Sequence, residues 1–387
     1  MTPPARAQAA IDILDQVIAS TKTDGAPADV LVTRYFKTRR YAGSKDRRAV
    51  RELVFQAIRN AIAPTDGRSS LLTVEGMSEL FDGSVHAPAA LGEGEVPALT
   101  GIVPDWLVPE LSPLVGPDEI TALALRAPLD LRINAIKTTR DDMIAAFPEA
   151  AATPLSSLGL RLPAGTRVDD HPAFAQGLVE VQDEGSQLIA FACGLSDGES
   201  AVDLCAGAGG KALAMAAGAP QATILATDTN RARLSQLGPR AERAGATIVT
   251  RLLNPPNETE ELADMAAATD CVLVDAPCSG TGTWRRNPEG RWRLTPDRLD
   301  RLTATQAHLL DIAAPLVKPG GRLVFAVCSI LSREGSAQIA DFLRRHSSWI
   351  RDDMPIAGGR AEGDGRLLTP GHDATDGFFV ARLKRSC

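Results

Sequence analysis

The stretch Cys271-Val272-Leu273-Val274-Asp275-Ala276-Pro277-Cys278-Ser279-Gly280-Thr281-Gly282 decides how this chain is read. Val272, Leu273 and Val274 form a short apolar run that stops at Asp275, the pattern of a buried parallel strand ending at an acid. Ala276 to Gly282 carry no helix signal and form a loop. Ligands of an open α/β sheet bind in the crevice beyond the carboxyl ends of its strands. The loop therefore puts a carboxylate, a rigid proline and a thiol at a binding crevice. A second apolar run, Leu323-Val324-Phe325-Ala326-Val327, ends the same way at Cys328-Ser329. Two strands that each deliver a cysteine at their carboxyl ends form the strongest chemical signal in the chain.

Around this pair the pattern is βαβ. Ala201 to Leu204 reads as a strand, followed by the glycine-rich turn Cys205-Ala206-Gly207-Ala208-Gly209-Gly210-Lys211 into an alanine-rich helix. Ala222 to Thr227 is a strand ending at Asp228, and a helix over 231–244 and a strand near Thr247–Thr250 precede the Asp275 strand. A helix over 300–316 leads through Pro319-Gly320-Gly321 to the Cys328 strand. A helix from Glu334 to Arg345 and a late strand from Gly377 to Leu383 close the domain. This alternation predicts a doubly wound, Rossmann-like, mainly parallel sheet. The glycine turn lets backbone approach a ligand, and an acid ending the second strand suits ribose hydroxyls. The dinucleotide fingerprint Gly-x-Gly-x-x-Gly fails at Ala212. Asp203, four positions before Gly207, suits instead S-adenosyl-L-methionine (SAM), which has no pyrophosphate to seat on the helix. A tight strand-to-helix turn with no ligand is the plainer alternative.

The start of the chain is helical. Ala10, Ile13, Leu14, Val17 and Ile18 share one face over 5–20, and Val50, Leu53, Val54, Ala57, Ile58, Ala61 and Ile62 hold a 3.6 period behind Ser44, which reads as the cap. Nine Lys or Arg residues between Arg34 and Arg59, Arg47, Arg48 and Arg51 among them, stand against Asp46 and Glu52. That excess suits a phosphate backbone, with a solvated helix face the plainer alternative. The stretch from Asp82 to Pro104 reads as a linker. The strands from Leu129 to Ile136 and from Val179 belong to a small α+β connector. The expected division is 1–82, an all-α domain; 83–127, linker and connecting helices; 128–190, connector; and 191–387, the main domain.

A net charge of −7 argues against attraction of the whole molecule to nucleic acid and leaves local basic patches. No apolar run is long enough for a membrane span, and no secretory signal is visible. Six cysteines, none before Cys193, do not make a disulfide framework, so a reducing cytoplasm is expected. Without CxxC spacing and with scattered histidines, no metal site is expected.

The motifs Asp203-Leu204-Cys205-Ala206 with Gly209-Gly210-Lys211, Asp275-Ala276-Pro277-Cys278-Ser279-Gly280-Thr281-Gly282 and Cys328-Ser329 together resemble the RNA cytosine-5 methyltransferases of the Sun/Fmu (RsmB) type. So do Val181-Gln182-Asp183-Glu184-Gly185-Ser186-Gln187, Arg285-Arg286-Asn287-Pro288 and Asp376-Gly377-Phe378-Phe379. The likeness runs from about Pro128 to Leu383, and the first hundred residues resemble a NusB-like RNA-binding domain. Gly207-Ala208 departs from the family's Ala-Pro, Asn254 stands where the family has an adenine-contacting Asp, and the N-terminal region is short. The resemblance implies a SAM methyltransferase sheet, with Cys205 to Lys211, Asp228, Asn254 and Asp275 at the cofactor. It also implies Cys328 as nucleophile on cytosine carbon 6, Cys278 in product release, and Asp275 at the ring nitrogen. The Pro277 carbonyl suits the exocyclic amine. RNA contacts are expected from Arg47, Arg48, Arg51, Lys211, Pro277, Arg285 and Arg286, and Trp284 and Trp292 suit base stacking or packing. Ribosomal 16S RNA is expected ahead of transfer RNA, with the protein a monomer. An amino-group methyltransferase, an RNA-binding assembly factor without catalysis and a dithiol redox protein using Cys278 and Cys328 are the competing readings.

Overall fold

A computed structural model describes residues 1–23 and 25–387. The chain forms two compact units, one of Met1–Leu111, Gly116–Leu125 and Thr283–Pro296, the other of Ser112–Val115, Arg126–Gly282 and Asp297–Cys387.

The first unit is helical. The expected apolar faces form its core, with Ala10, Ile13, Leu14 and Val17 of helix Pro3–Thr21 and Val50, Val54, Ala57 and Ile58 of helix Ser44–Asn60 all buried together. Ser44 is the first helical residue rather than the cap: Gly43 holds the N-cap position and offers no side chain to the free amides. The stretch read as a linker returns to this unit, because Leu99–Thr100 pairs antiparallel with Ala61–Ala63. Thr283–Pro296, which the sequence assigns to the main domain, also packs here. The reason is Arg291, 4% exposed, whose guanidinium donates to the carbonyls of Ile58, Ala61, Gly101 and Ile102. Burial and the nearby Arg59 push its pKa down to about 10. Trp292 donates its indole N–H to Ala61 at 3.0 Å, and Trp284 is buried, so both tryptophans pack rather than present a face for bases.

The second unit carries two sheets. Strands Ala151–Ala152, Gly159–Leu162, Leu129–Ile133 and Val179–Val181 form the connector as a four-stranded antiparallel sheet. The main sheet has nine strands. Five are parallel and neighbour one another in the order Val317–Val327, Thr269–Asp275, Ser200–Asp203, Thr223–Asp228, Val249–Leu252. Phe378–Arg385 runs antiparallel beside Val317–Val327 and in turn carries Gly365–Leu368 and Trp349–Arg351, with Arg360–Glu362 at the edge. The sheet is thus mixed at one side. The helix read over 231–244 is two pieces, Arg231–Leu234 and Leu237–Ala244, because Pro239 lacks an amide and is tolerated only in a first turn. Chain order reverses between Ser200–Asp203 and Thr269–Asp275, and at such a switch point the loops part and leave a crevice. No helix among the described residues is long and apolar enough to cross a membrane.

Candidate active site

Register brings the two cysteines together. In the parallel pair, Asp275 lies opposite Ala326, and Ala276 donates to the Ala326 carbonyl at 2.9 Å. Cys278 and Cys328 therefore leave adjacent strand ends at nearly the same height. Gly282 donates to the Cys328 carbonyl at 3.1 Å and ties the first loop over the second. The two sulfurs lie 3.3 Å apart, both half-buried. The hydrogen bond to Cys328, then burial and the Glu334 carboxylate, hold the Cys278 thiol well above the usual thiol range. Three other cysteines stand apart from this chemistry. Cys193 and Cys271 are buried in the core of the sheet, and Cys387 is exposed.

Three strand-end carboxylates gather beside the thiols. Lys211, on the first turn of helix Gly210–Gly218, bonds Asp275 at 2.5 Å. Burial disfavours its ammonium, but Asp275 and Asp203 outweigh that and raise its pKa above the ordinary lysine value. Asp203 is 1% exposed and neither of its carboxylate oxygens has a hydrogen-bond partner among the described residues. Burial first, then the Asp275 and Asp228 charges, push it up to about 7 against the opposing pull of Lys211. Asp228 accepts from the Gly207 amide and from the Asn230 amide, each at 2.7 Å. It thereby fixes the turn at Gly207, whose φ of +56° favours glycine and where a Cβ would overlap the Arg233 guanidinium. Gly209, at φ +82°, caps the following helix, and a Cβ there would overlap Leu237.

A cavity of about 670 Å³ opens onto this cluster. Of the residues expected at a cofactor, Cys205, Asp228 and Asp275 line it, and so do Cys278, Cys328 and Pro277; Ala206 to Lys211 are not among its lining residues. Burial and the neighbouring carboxylates raise the Cys205 thiol far above its usual range. Asn254 is outside the cavity. Its amide and backbone N–H both bond Glu261 at 2.8 Å, and it is exposed. The adjacent Leu253, Pro255 and Pro256 take its place in the wall. The Pro277 carbonyl already accepts from the Gln306 amide at 3.0 Å, leaving one lone pair for a base. The sequence reading missed the opposite wall, made by Thr305, His308, Leu309 and Ile312 of helix Pro296–Ala313. Their spacing of three, four and seven marks one face of the helix read over 300–316, and that spacing is the signal that could have found them.

Of the expected RNA contacts, Arg47, Arg48 and Arg51 are exposed on helix Ser44–Asn60, with Arg51 5.0 Å from the Phe55 ring centre. Arg285 is 6% exposed inside the helical unit and is withdrawn from any surface, while Arg286 is half-buried.

Residues 190–384 match the family described as 16S rRNA methyltransferase RsmB/F. Ribosomal RNA small subunit methyltransferase B of Xanthomonas campestris pv. campestris is 34% identical over 296 residues, covering 73% of this chain and 66% of that protein. The protein of the same name from Salmonella arizonae is 34% identical over 290 residues, covering 72% and 66%. This chain therefore spans just under two-thirds of the length of these relatives. Among solved structures, NSun6 from Pyrococcus horikoshii, determined with SFG, superposes with a TM-score of 0.66 at 16% identity over 74% of this chain and 99% of that one. A methyltransferase homolog protein from the same organism gives 0.62 at 23% identity over 71% and 92%. The matched residues contain both strand-end cysteines, the glycine turn and its aspartates, and the chain belongs to the RsmB/F methyltransferase family.

Proposed function

We propose that this protein transfers a methyl group from SAM to carbon 5 of a cytosine in RNA, ribosomal 16S RNA ahead of transfer RNA, through a covalent adduct on Cys328. The observation that carries this reading is the pair of sulfurs 3.3 Å apart at the wall of a cavity that also presents Asp228 and Asp275. SAM fits the residues present. Among the described residues Asp203 is a buried acceptor without a hydrogen-bond partner, a Cβ at Gly207 would meet the Arg233 guanidinium, and Asp228 stands at the end of the second strand. The P. horikoshii relative was solved with SFG, a SAM analogue, which supports the same cofactor.

SAM when bound supplies the methyl as an electrophile; the protein must make carbon 5 nucleophilic. The Cys328 thiolate, held by the Cys278 S–H, adds to carbon 6, and the ring electrons move onto carbon 5. Charge reaching the ring nitrogen meets the Lys211–Asp275 pair, where Lys211 is the proton source and Asp275 accepts the resulting N–H. Once bonded to carbon 6, Cys328 loses its charge and accepts only weakly, so the hydrogen bond that most strongly keeps the Cys278 proton in place is weakened. Cys278 then loses that proton to solvent and takes the one on carbon 5, which restores the ring double bond and expels Cys328 as thiolate, while the ring N–H returns its proton to Lys211.

The test is methylation of 16S RNA and transfer RNA by the purified protein with SAM, read by bisulfite sequencing. One protected cytosine in ribosomal RNA is expected, and a methylated exocyclic amine instead would overturn the reading. Two further outcomes follow from the same geometry. Asp228→Ala frees the Gly207 amide and removes the strand-end acid, so SAM affinity should fall by about 1–3 kcal/mol in calorimetry. Changing Arg47, Arg48 and Arg51 together to Glu should weaken RNA binding and flatten its salt dependence while SAM affinity is unchanged. An unaltered salt slope would reduce that face to ordinary solvated surface.

A further inference from the structure

Glu334 is completely buried, six residues beyond Cys328, and no lysine or arginine pairs with it among the described residues. A carboxylate in that position is costly unless donors surround it. Here the donors come from the cysteine loop. The Ser279 amide donates to one oxygen at 2.8 Å and the Ser279 hydroxyl to the other. Gln306, equally buried on helix Pro296–Ala313, shares its amide nitrogen between Glu334 and the Pro277 carbonyl, 3.0 Å to each. The residues on both sides of Cys278 are therefore fastened, Pro277 to Gln306 and Ser279 to Glu334, and those two side chains bond each other. Ser279 also meets Ser329, next to Cys328, at 3.3 Å between hydroxyls, and Ser329 meets Thr281 at 3.1 Å. Glu334 and Gln306 thus tie the loop of one cysteine to the segment that follows the other. A loop of small residues has no packing of its own to hold a sulfur at a fixed distance from its neighbour.

We propose that Glu334 and Gln306 are positioning residues for the release half of the reaction, holding Cys278 against the Cys328 adduct through Pro277 and Ser279. The inference rests on the covalent mechanism above. It assigns them no contact with RNA or SAM. Attack by Cys328 needs only its own strand end, whereas proton removal needs Cys278 placed to within a fraction of an ångström. Misplacement on the scale of 1 Å costs on the order of 10²-fold in rate.

Glu334→Gln keeps the size and removes the charge and one acceptor; Gln306→Met keeps the volume and removes the bridge. Each is expected to slow turnover by roughly 10- to 100-fold. SAM affinity by calorimetry and the first methyl transfer per enzyme should stay within a few-fold of the parent, and a protein–RNA adduct that survives denaturing electrophoresis should accumulate, as for Cys278→Ala. Parental turnover with no adduct in both variants overturns the proposal. So does a joint loss of SAM affinity, first transfer and thermal stability without adduct, since that is the behaviour of a purely structural pair. If one variant does not fold, the other decides. Failure of Cys278→Ala itself to trap adduct would instead count against the covalent reading on which the proposal stands.

Discussion

Cys328→Ala should transfer no methyl group and form no adduct with RNA, while Cys278→Ala should transfer once and stop as a trapped protein–RNA complex. Removing the nucleophile of a catalytic unit costs on the order of 10⁴–10⁶-fold, so Cys328→Ala should fall below detection in a tritium-transfer assay. The complex trapped by Cys278→Ala should need both SAM and Cys328 and should appear as a shifted band on a denaturing gel. The two cysteines have the same volume, similar half-burial and sulfurs 3.3 Å apart. Packing loss alone would make the two variants behave alike. Adduct from Cys328→Ala and none from Cys278→Ala would exchange the roles. Full methylation by both variants would eliminate the covalent route.

Arg291→Met should destabilise the helical unit by about 3–5 kcal/mol, the scale of removing one partner from a buried charged hydrogen-bond set. Methionine refills most of the volume, so the loss isolates the hydrogen bonds. Of the four carbonyls that the guanidinium meets, those of Ile58, Gly101 and Ile102 would lose this donor where water has little access, while Ala61 would keep the Trp292 indole N–H. Urea denaturation of the full chain gives the measurement. A shift worth less than about 1 kcal/mol would mean that water replaces the guanidinium.

The parts of the site that end apolar runs were legible in the sequence. Asp203, Asp228, Asp275 and Cys328 each follow a buried strand, and period and length alone locate such positions. The place of Asn254 outside the cavity lining was not legible. Asn254 stands two residues beyond strand Val249–Leu252, where a cofactor contact belongs, and only the bond to Glu261 turns it away. The short strands Trp349–Arg351, Arg360–Glu362 and Gly365–Leu368 were invisible because three or four residues are too few to establish a period of two. Pro319-Gly320-Gly321, placed by the sequence between the helix and the Cys328 strand, lies inside strand Val317–Val327, at the register shift opposite Thr269–Cys271. Glu334 and Gln306 look like ordinary polar helix-end and helix positions, and their burial depends on neighbours far away in sequence.

The discontinuity of the helical unit bears on how the protein is made. Residues 1–125 leave the ribosome long before Thr283–Pro296 is translated, so Arg291, Trp292 and the Glu289 carboxylate that receives the Ala28 amide are missing when the first helices emerge. At roughly 5–20 residues per second the gap lasts on the order of ten seconds. During it the carbonyls of Ile58 and Ala61 wait for their donor beside an unfinished core. The first part of the chain to be synthesised is therefore not a finished unit when it emerges, and a fragment cut near residue 125 inherits that unfinished state permanently.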